Sequence, residues 1–500
     1  MKKTLAFVFG IFTTIGAFAA TNEKPLGSNV TDNTYSVDKQ YAKADSIKVD
    51  NKFYNLKQAD KVAINNAKTD KFYSLIDIYE LAAEHNAEYL SAQSTFASNV
   101  ETVPKALGGL LPQIDATYNL RGDNYNQFGG NIKDFSNGIN FNGSQMLFDW
   151  TRWKTFTQAT YLQKSYAMIY AKAEQDVLSN TITAYFELLR AYQILQFQYA
   201  NEAWNKKLFL TQQRKYEAGV VDYADLKTSN AQYEQAVATR ADAQKSLINA
   251  KATMARLIGK KIDSILYVAK DTQFNPPTPN NLEYWLDTAQ EYNLDISQRE
   301  FEYQAAGEGV GLKWGNFFPN AYLSGGIDMS FNEYRGAKEQ IARLPTDYKI
   351  ANITGTANWN LLKGGSDFAE LKQASYNNQA ANYAVLQMRR EVYAGTLSSF
   401  ETVTLDSIRI DAYKKSVYAG LASVKAILDG YEAGTQTIVD LLNRQATLVQ
   451  SQLAFSGSIF DYIEHYAELK KWQGSLAVKD IQLINTLLGE KNIISEIAEE

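Results

Sequence analysis

The chain has 500 residues, and its composition excludes several classes of protein before any motif is considered. It is 45% apolar and 21% charged, has a formal net charge of −5, and contains no cysteine and two histidines. This is the composition of a folded chain, and its mild acidity argues against a nucleic-acid binder. Without cysteine there is no disulfide, thiolate zinc site, iron–sulfur cluster or cysteine nucleophile.

The first 20 residues have the pattern of a secretory signal peptide. Lys2 and Lys3 precede an apolar stretch, and Ala17-Phe18-Ala19 is a small-x-small cleavage site. The alternative is a buried N-terminal helix. Residues 21–73 are polar and rich in Lys, Asp and Asn, and we interpret them as an N-terminal extension, either a flexible leader or an added helix.

The positions of proline and glycine predict two long helical hairpins. Residues 149–218 contain neither, so nothing inside this segment should stop a helix. About seventy residues at ~1.5 Å each would reach about 100 Å. Gly219 interrupts the segment, and a glycine- and proline-free return follows. The predicted helical hairpins are residues 149–258 and 366–474.

The turn sequence of the helical hairpin occurs twice, which indicates an internal duplication. Tyr216-Glu217-Ala218-Gly219 and Tyr431-Glu432-Ala433-Gly434 lie 215 positions apart, and Asp225 and Asp440 keep that offset. Two copies of about 210 residues are too few for a solenoid array, so we interpret them as pseudo-symmetric halves of one elongated body. The predicted domains are a first repeat (74–280), a second repeat (281–476) and a C-terminal segment (477–500).

Each repeat also contains a stretch in which apolar and polar residues alternate. Ile114, Ala116, Tyr118 and Leu120 fall on one face of such a stretch, which predicts a strand with one apolar and one polar face. A soluble sandwich shows the same alternation. Strands of about ten residues, with Asn, Thr and Ser on the polar face and aromatics near the ends, favour an outer-membrane barrel. Four strands cannot enclose a channel and lipid does not tolerate open edges, so the sequence predicts an oligomer. The predicted β-hairpins are residues 113–148 and 320–361.

The joints between these predicted elements carry characteristic sequences. YEAGVVDYADLKTSNAQYEQA (216–236) and YEAGTQTIVDLLNRQATL (431–448) surround the two helical turns, and SQMLFDW (144–150) and NFFPNAYLSGG (316–326) join helices to strands. Together with the signal peptide and the tandem halves, they resemble the TolC family of outer-membrane efflux channels over about residues 74–474.

The resemblance implies a mostly α-helical fold with a small β part, assembled as a homotrimer. Three chains would share a twelve-stranded transmembrane β-barrel, with four strands from each chain, and an α-helical barrel of long antiparallel hairpins would extend into the periplasm. Residues near 260–279 and after about 477 would supply an equatorial belt around this α-barrel.

The implied function is a passive exit duct in the outer membrane, for efflux of small molecules, type I protein secretion, or both. Its implied partners are outer-membrane lipid, a periplasmic adaptor and an inner-membrane transporter of the RND, ABC or MFS class. The resemblance implies no catalysis, no cofactor, no resident metal and no nucleic-acid partner.

By the same resemblance, Asp440 is expected to ring the periplasmic aperture, with Asn443 one turn further along the helix. Three Asp440 carboxylates facing one axis would repel each other, which would raise their pKa, and multivalent cations would block such a ring. The alternative is that Asp440 simply lies in the exposed first turn of a helix.

The resemblance also assigns residues that close the duct and residues that contact the adaptor. Asp225 and Tyr431 match the closure link, and Gln436 stands where the family has an arginine, which predicts a weaker lock. For the two glycines of the turns, a purely conformational role is the alternative. The residues expected to contact the adaptor are Gly219, Val220, Gly434 and Thr435.

Rival interpretations are a structural or adhesive coiled-coil protein, a general porin and an enzyme. A coiled coil needs sustained apolar heptads, whereas the long helices are rich in Ala, Gln and Ser with irregular apolar spacing. A porin would not be mostly helical. For an enzyme, His85 and His465 lie in polar helical stretches typical of surface or packing residues, and the glycines at 307–315 lack the spacing of a nucleotide-binding loop.

Overall fold

The computed structural model is mostly helical, with a small amount of sheet. The predicted signal peptide, nearly all of the predicted extension and the end of the C-terminal segment lie outside the described residues. The described residues are 72–127, 130–262, 265–268, 273–335 and 347–489.

The elements alternate between short helices, β-hairpins and long helices. In chain order they are α1 (Leu75–His85), α2 (Ala87–Val100), α3 (Thr102–Gly108), β1 (Gln113–Gln127), β2 (Gly130–Phe148), α4 (Trp150–Glu217), α5 (Tyr223–Ile258), β3 (Tyr267–Val268), α6 (Leu282–Tyr292), α7 (Leu294–Trp314), a 3₁₀ turn (Gly315–Phe317), β4 (Asn320–Arg335), β5 (Tyr348–Asn358), α8 (Ser366–Glu432), α9 (Ile438–Trp472), α10 (Val478–Asn485) and β6 (Leu488–Gly489).

Each helical hairpin consists of one very long helix and a return helix about half as long. Helix α4 has 68 residues and α8 has 67, whereas α5 has 36 and α9 has 35. Gly259, in the left-handed conformation, ends α5. Helix α7 packs against both long helices along the part that the return helices leave uncovered. None of the helices in the described ranges combines the length and apolar character needed to cross a membrane.

Helix α8 tolerates glycines because the return helix α9 passes close to them. A Cβ built on Gly395 would lie 2.6 Å from Trp472 Cε2, and one on Gly420 would lie 3.0 Å from Leu448 Cδ1. Glycine within a helix costs about 1 kcal/mol relative to alanine. The close packing of α9 on α8 depends on these two positions and offsets that cost.

The two halves of the chain use the same local chemistry where their short helices join. Asn86 caps α2 and Asn293 caps α7, each through its side-chain oxygen. The backbone N–H of Asn86 donates to Ala82 O at 2.8 Å, and that of Asn293 donates to Ala289 O at 3.1 Å. Both alanines are fully buried. The sequence duplication therefore has a counterpart in the capping geometry.

The four long strands form one antiparallel sheet in the order β1-β2-β4-β5, so that β1 and β5 are its edges. The strands have 15, 19, 16 and 11 residues, longer than the ten predicted. The difference arises because backbone pairing continues past the alternating residues into polar ones, as where Asp123 pairs with Asp134.

The strand register places the alternating apolar residues of all four strands on one face. Directly paired residues of an antiparallel sheet point to the same side. Ile114 and Ile353, at the two edges, are 79% and 82% exposed. This apolar face is not covered as the inner face of a soluble sandwich would be. On the apolar face, one row of paired residues across the four strands consists of Ala116, Phe141, Ile327 and Ala351. The adjacent row of paired residues points to the polar face and consists of Asp115, Asn142, Gly326 and Asn352.

The main hydrophobic core lies midway along the long helices, where α1, α5, α9 and α10 pack against α4. Tyr185 and Phe460 are among its fully buried side chains. The Tyr185 hydroxyl donates a hydrogen bond to Leu266 O at 2.9 Å, just before strand β3, which pairs with β6. Strand β6, at the end of the last described range, is thereby joined to the middle of α4.

Candidate functional site

The two hairpin turns have the same backbone geometry. Gly219 and Gly434 adopt φ angles of +71° and +75°, and a Cβ at either would meet nothing within 4 Å. The N–H of Val220 donates to Lys215 O at 2.8 Å, and that of Thr435 donates to Gly430 O at 2.8 Å. These are Schellman turns. Glycine is favoured at both positions because of the left-handed backbone conformation, and not because a neighbouring atom would clash with a side chain.

Both return helices begin with a side-chain cap, again 215 positions apart. At the start of α5, Asp222 Oδ1 accepts from the N–H of Asp225 at 2.9 Å. At the start of α9, Thr437 Oγ1 accepts from the N–H of Asp440 at 3.1 Å, and Asp440 Oδ2 accepts from the N–H of Thr437 at 3.2 Å. This capping box gives Asp440 a structural role in addition to its predicted one.

The capping box also sets the charge state of Asp440 within one chain. Hydrogen bonds from the hydroxyl and the backbone N–H of Thr437 hold the pKa of Asp440 below its ordinary value. The sequence led us to expect a raised pKa, from repulsion among three such carboxylates. The hydrogen bonds from Thr437 lower the pKa, whereas repulsion among three carboxylates would raise it. A raised pKa of Asp440 in the assembled ring stays a prediction.

Asp440 and Asn443 lie together on the exposed face of α9, and buried residues of the same helix turns face the first hairpin. We call this buried cluster, together with the partly buried side chains packed against it, the tip seam. Leu441 and Ile438 are 0% and 3% exposed, so the seam excludes water. The tip seam consists of Leu208, Ile438, Leu441 and Leu442, flanked by Trp204, Ile427, Leu428 and Tyr431.

At the edge of the tip seam, the Tyr431 hydroxyl bonds to helix α4. Lys215 Nζ lies 3.0 Å from the hydroxyl oxygen and 4.4 Å from the ring centroid, and the Gln212 amide also donates to this oxygen. Among the described residues, the hydrogen-bond partners of the Tyr431 hydroxyl are therefore both on α4, and Asp225 is not one of them. The predicted link between Asp225 and Tyr431 stays a prediction.

Gln436, the third predicted closure residue, folds back on its own turn. Its N–H donates to Gly430 O at 3.2 Å, and a Cβ on Gly430 would lie 2.7 Å from Gln436 Cγ. Sequence reasoning missed Gln212 and Lys215. Their signal is the spacing of Trp204, Leu208, Gln212 and Lys215, which places all four on one face of a helix.

The predicted adaptor-contacting residues sit in different chemical surroundings at the two tips. Val220 is 71% exposed beside the Tyr216 and Tyr223 rings, whose centroids lie 5.9 Å apart. At the second tip Thr435 is exposed, and its hydroxyl donates to Gly430 O at 3.0 Å. The first tip is thus aromatic and apolar, and the second tip is polar.

Far from the tips, His465 belongs to a charged network between α4, α8 and α9. The Asp406 side chain is 1% exposed and pairs with His465 Nδ1 and Arg409 Nη1, both at 2.6 Å. Arg190 on α4 pairs with Asp461 on α9 at 2.9 Å. The pair of Arg190 and Asp461 joins the two hairpins, whereas Asp406 and its two partners all lie within the second hairpin. Removing either partner of the buried Asp406 would destabilise α8 against α9.

The described residues offer no arrangement for catalysis or metal binding that we recognise. In these ranges no group of three or more His, Asp or Glu side chains is placed to hold a metal ion. His85 is exposed, and its Nδ1 lies 3.2 Å from Leu81 O in the preceding helical turn. Gly309 and Gly311, excluded from a nucleotide loop by their spacing, instead lie against Gln158 and Lys154 of α4.

Comparisons with known proteins agree with this architecture. Over residues 78–260 and 285–475 the chain matches the family model described as outer membrane efflux protein. It is similar to outer membrane protein TolC of Escherichia coli (strain K12), with 26% identity over 430 residues that cover 83% of this chain and 85% of that protein. It is also similar to the alkaline protease secretion protein AprF of Pseudomonas aeruginosa, with 22% identity over 431 residues that cover 83% and 88%.

A solved structure supports the fold. The CmeC outer membrane channel of Campylobacter jejuni superimposes with a TM-score of 0.69 at 17% identity, covering 93% of this chain and 98% of that one. At this identity the likeness shows the fold alone.

Proposed function

Since the chain belongs to the outer membrane efflux protein family and is an outer-membrane exit duct for efflux and secretion, we propose that it works as a homotrimer. The observation that carries the proposal is the sheet, with its uncovered apolar face and its two edge strands β1 and β5. Lipid does not tolerate unpaired strand edges. Pairing β5 of one copy with β1 of the next would close twelve strands into a barrel wide enough for a channel.

Below this barrel, the four long helices of each chain would line an α-helical tunnel in the periplasm. A helix of 68 residues at ~1.5 Å per residue reaches about 100 Å. Residues near 260–279 and after about 477 would encircle the tunnel as the equatorial belt. The buried core around Tyr185 and Phe460 supports this position, because it joins the C-terminal segment to the middle of α4.

At the periplasmic end, three copies of Asp440 would ring the aperture, with Asn443 one turn further from the tip. The exposure of both residues, on the face of α9 away from the tip seam, supports this role. The ring would favour cations over anions. Asp225, Tyr431 and Gln436 would contribute to closure, and opening would require the second hairpin to move away from the first.

The duct performs no chemistry of its own and would depend on two partners. A periplasmic adaptor would contact the tips at Gly219, Val220, Gly434 and Thr435, and an inner-membrane RND, ABC or MFS transporter would supply energy. Among the relatives, the name of AprF indicates protease secretion. Secreted proteins and small molecules are therefore both candidate cargo, and a deletion strain tested for drug susceptibility and for secreted protein would separate them.

A coiled-coil structural protein is the rival, and the sheet distinguishes the two functions. We would extract the protein with detergent and compare unheated and heated samples by gel migration, circular dichroism and planar-bilayer recording. The duct predicts a helix-rich trimer that dissociates on heating and conducts ions. A water-soluble monomer without conductance would overturn the proposal.

Neighbouring positions on β5 provide a matched test of the membrane barrel. Ile353 lies on the apolar face and Asn352 on the polar face. Ile353→Lys should prevent stable insertion, because a lysine facing the bilayer midplane costs about 2–4 kcal/mol. Asn352→Lys should insert normally and alter ion selectivity. Equal insertion of the two variants would contradict the assignment of the lipid-facing side.

A further inference from the structure

The last turn of α8 is attached to the first hairpin by two donors from α4. The Tyr431 hydroxyl accepts from Lys215 Nζ at 3.0 Å and from the Gln212 amide. A phenolic oxygen has two acceptor lone pairs, so both bonds form at once. Lys215 also lies over the ring, 4.4 Å from its centroid, which adds a cation–π attraction.

Gln212 makes this bond from a buried position beside the apolar side chains of the tip seam. Its side chain is fully buried, one helical turn from Leu208 of the tip seam, and its Oε1 has no hydrogen-bond partner. A buried amide with one end unsatisfied destabilises the folded chain and calls for a functional explanation. The bond from Gln212 to Tyr431 supplies one.

The position of Tyr431 makes its bonds sensitive to movement of the second tip. Tyr431 lies three residues before Gly434, and Ile438 and Leu441 at the start of α9 belong to the same seam. Displacing this tip from α4 would break both bonds to Tyr431 and expose the buried side chains of the seam.

We infer that Gln212 and Lys215 act as a latch that holds the second hairpin closed against the first through Tyr431. This inference rests on the proposed function as a gated duct. It adds to the closure links proposed above: the second hairpin has no cation at position 436, and Lys215 of the first hairpin supplies one at Tyr431.

The two halves of the latch differ in how they respond to salt. Lys215 is half-exposed, so added salt screens its attraction to Tyr431. Gln212 is neutral and buried, so salt leaves its bond unchanged. Raising the salt concentration should therefore weaken the latch in the wild-type channel and have no such effect in Lys215→Met.

Single-channel recording of the full-length trimer in planar bilayers tests the latch. Lys215→Met and Gln212→Leu should each raise the ratio of open to closed dwell time at least about three- to fivefold, the effect of losing a single hydrogen bond or cation–π contact. Lys215→Arg keeps the cation and should remain close to wild type. In a Tyr431→Leu background, Lys215→Met should have no further effect, since its partner is gone.

Lys227→Met is the matched control. Lys227 lies 4.9 Å from the centroid of the Tyr223 ring on the same hairpin, so this change removes a similar contact that does not bridge the two hairpins. Its dwell-time ratio should equal that of wild type. Trimer assembly of every variant is checked by gel migration, and if Lys215→Met does not assemble, the salt dependence of wild type decides the question.

The latch and the duct can fail separately. If wild type forms gated channels but Lys215→Met and Gln212→Leu match Lys227→Met, the latch is wrong and the duct stands. If Lys215→Met does not assemble, the salt dependence of the wild-type channel is measured instead. Wild-type dwell times that do not change with salt concentration would overturn the role of Lys215. If wild type forms no channels, the proposed function fails and the latch with it.

Discussion

The two hairpin tips share their backbone geometry and differ in what surrounds them. Gly219 and Gly434 form the same Schellman turn, and Asp225 and Asp440 occupy the same position in the first turn of the following helix. The duplication therefore reproduced the turn and the cap together, since both depend on residues within about ten positions of each other.

The surroundings of the tips diverge because they depend on contacts between hairpins. The start of α9 is buried in the tip seam through Leu441, whereas Val220 and Tyr223 of the first tip are 71% and 58% exposed. The first tip presents an apolar surface and the second is packed against α4. Under the proposed function, one turn motif would thus serve two tasks, adaptor contact mainly at the first tip and gating at the second.

The largest difference between the tips should be in stability. Leu441→Ala should reduce the free energy of unfolding by about 2–5 kcal/mol, because it leaves a cavity in a fully buried site. Val220→Ala should change it by less than about 0.5 kcal/mol. Denaturant unfolding of the detergent-solubilised trimer, followed by helical circular dichroism, measures both. Similar losses would show that the two tips are equally packed.

Substituting the two turn glycines should cost the same stability and affect gating differently. A left-handed alanine costs about 1–2 kcal/mol, and neither site has a neighbour within 4 Å to change that figure. Gly219→Ala and Gly434→Ala should lower the melting temperature equally. In single-channel records only Gly434→Ala should lengthen open times, and an equal effect of Gly219→Ala on gating would contradict the division of tasks.

The smallest predicted effect concerns the pH dependence of the Asp440 cap. Hydrogen bonds from Thr437 lower the pKa of Asp440, so this cap stabilises α9 above the ordinary pKa of an aspartate and is lost as pH falls through the lowered value. Thr437→Val removes the hydroxyl and should return the pKa of Asp440 toward its ordinary value. Block by multivalent cations should then disappear at a higher pH than in wild type. An unchanged pH midpoint of block would mean that the capping box does not govern this carboxylate in the trimer.

The parts of the site that sequence could predict are those determined by neighbouring residues. The repeated Tyr-Glu-Ala-Gly predicted both turns, and the absence of proline and glycine predicted α4. The sequence also contains the signal of the capping box, a threonine (Thr437) three positions before an aspartate (Asp440). It was missed because Asp440 was assigned to the aperture alone.

The latch was not predictable in the same way, because it depends on which helix faces Tyr431. Gln212 and Lys215 lie on one face of α4 with Leu208, but the irregular apolar spacing of α4 gives no sign of their partner on α8. The strand lengths were underestimated for a related reason. Backbone pairing such as that of Asp123 with Asp134 continues where the side-chain alternation has ended.

Block by multivalent cations can show whether the second tip forms the aperture of the duct. Multivalent cations would be applied from the periplasmic side of single channels carrying Asp440→Asn or Asp225→Asn, which change equivalent positions in the first turns of α9 and α5. At position 440 the asparagine oxygen can still accept the hydrogen bond from the N–H of Thr437. If the second tip forms the aperture, Asp440→Asn should abolish block, whereas Asp225→Asn should keep it even if closure changes. Block that persists in Asp440→Asn, or is lost equally in both variants, would show that Asp440 does not line the aperture.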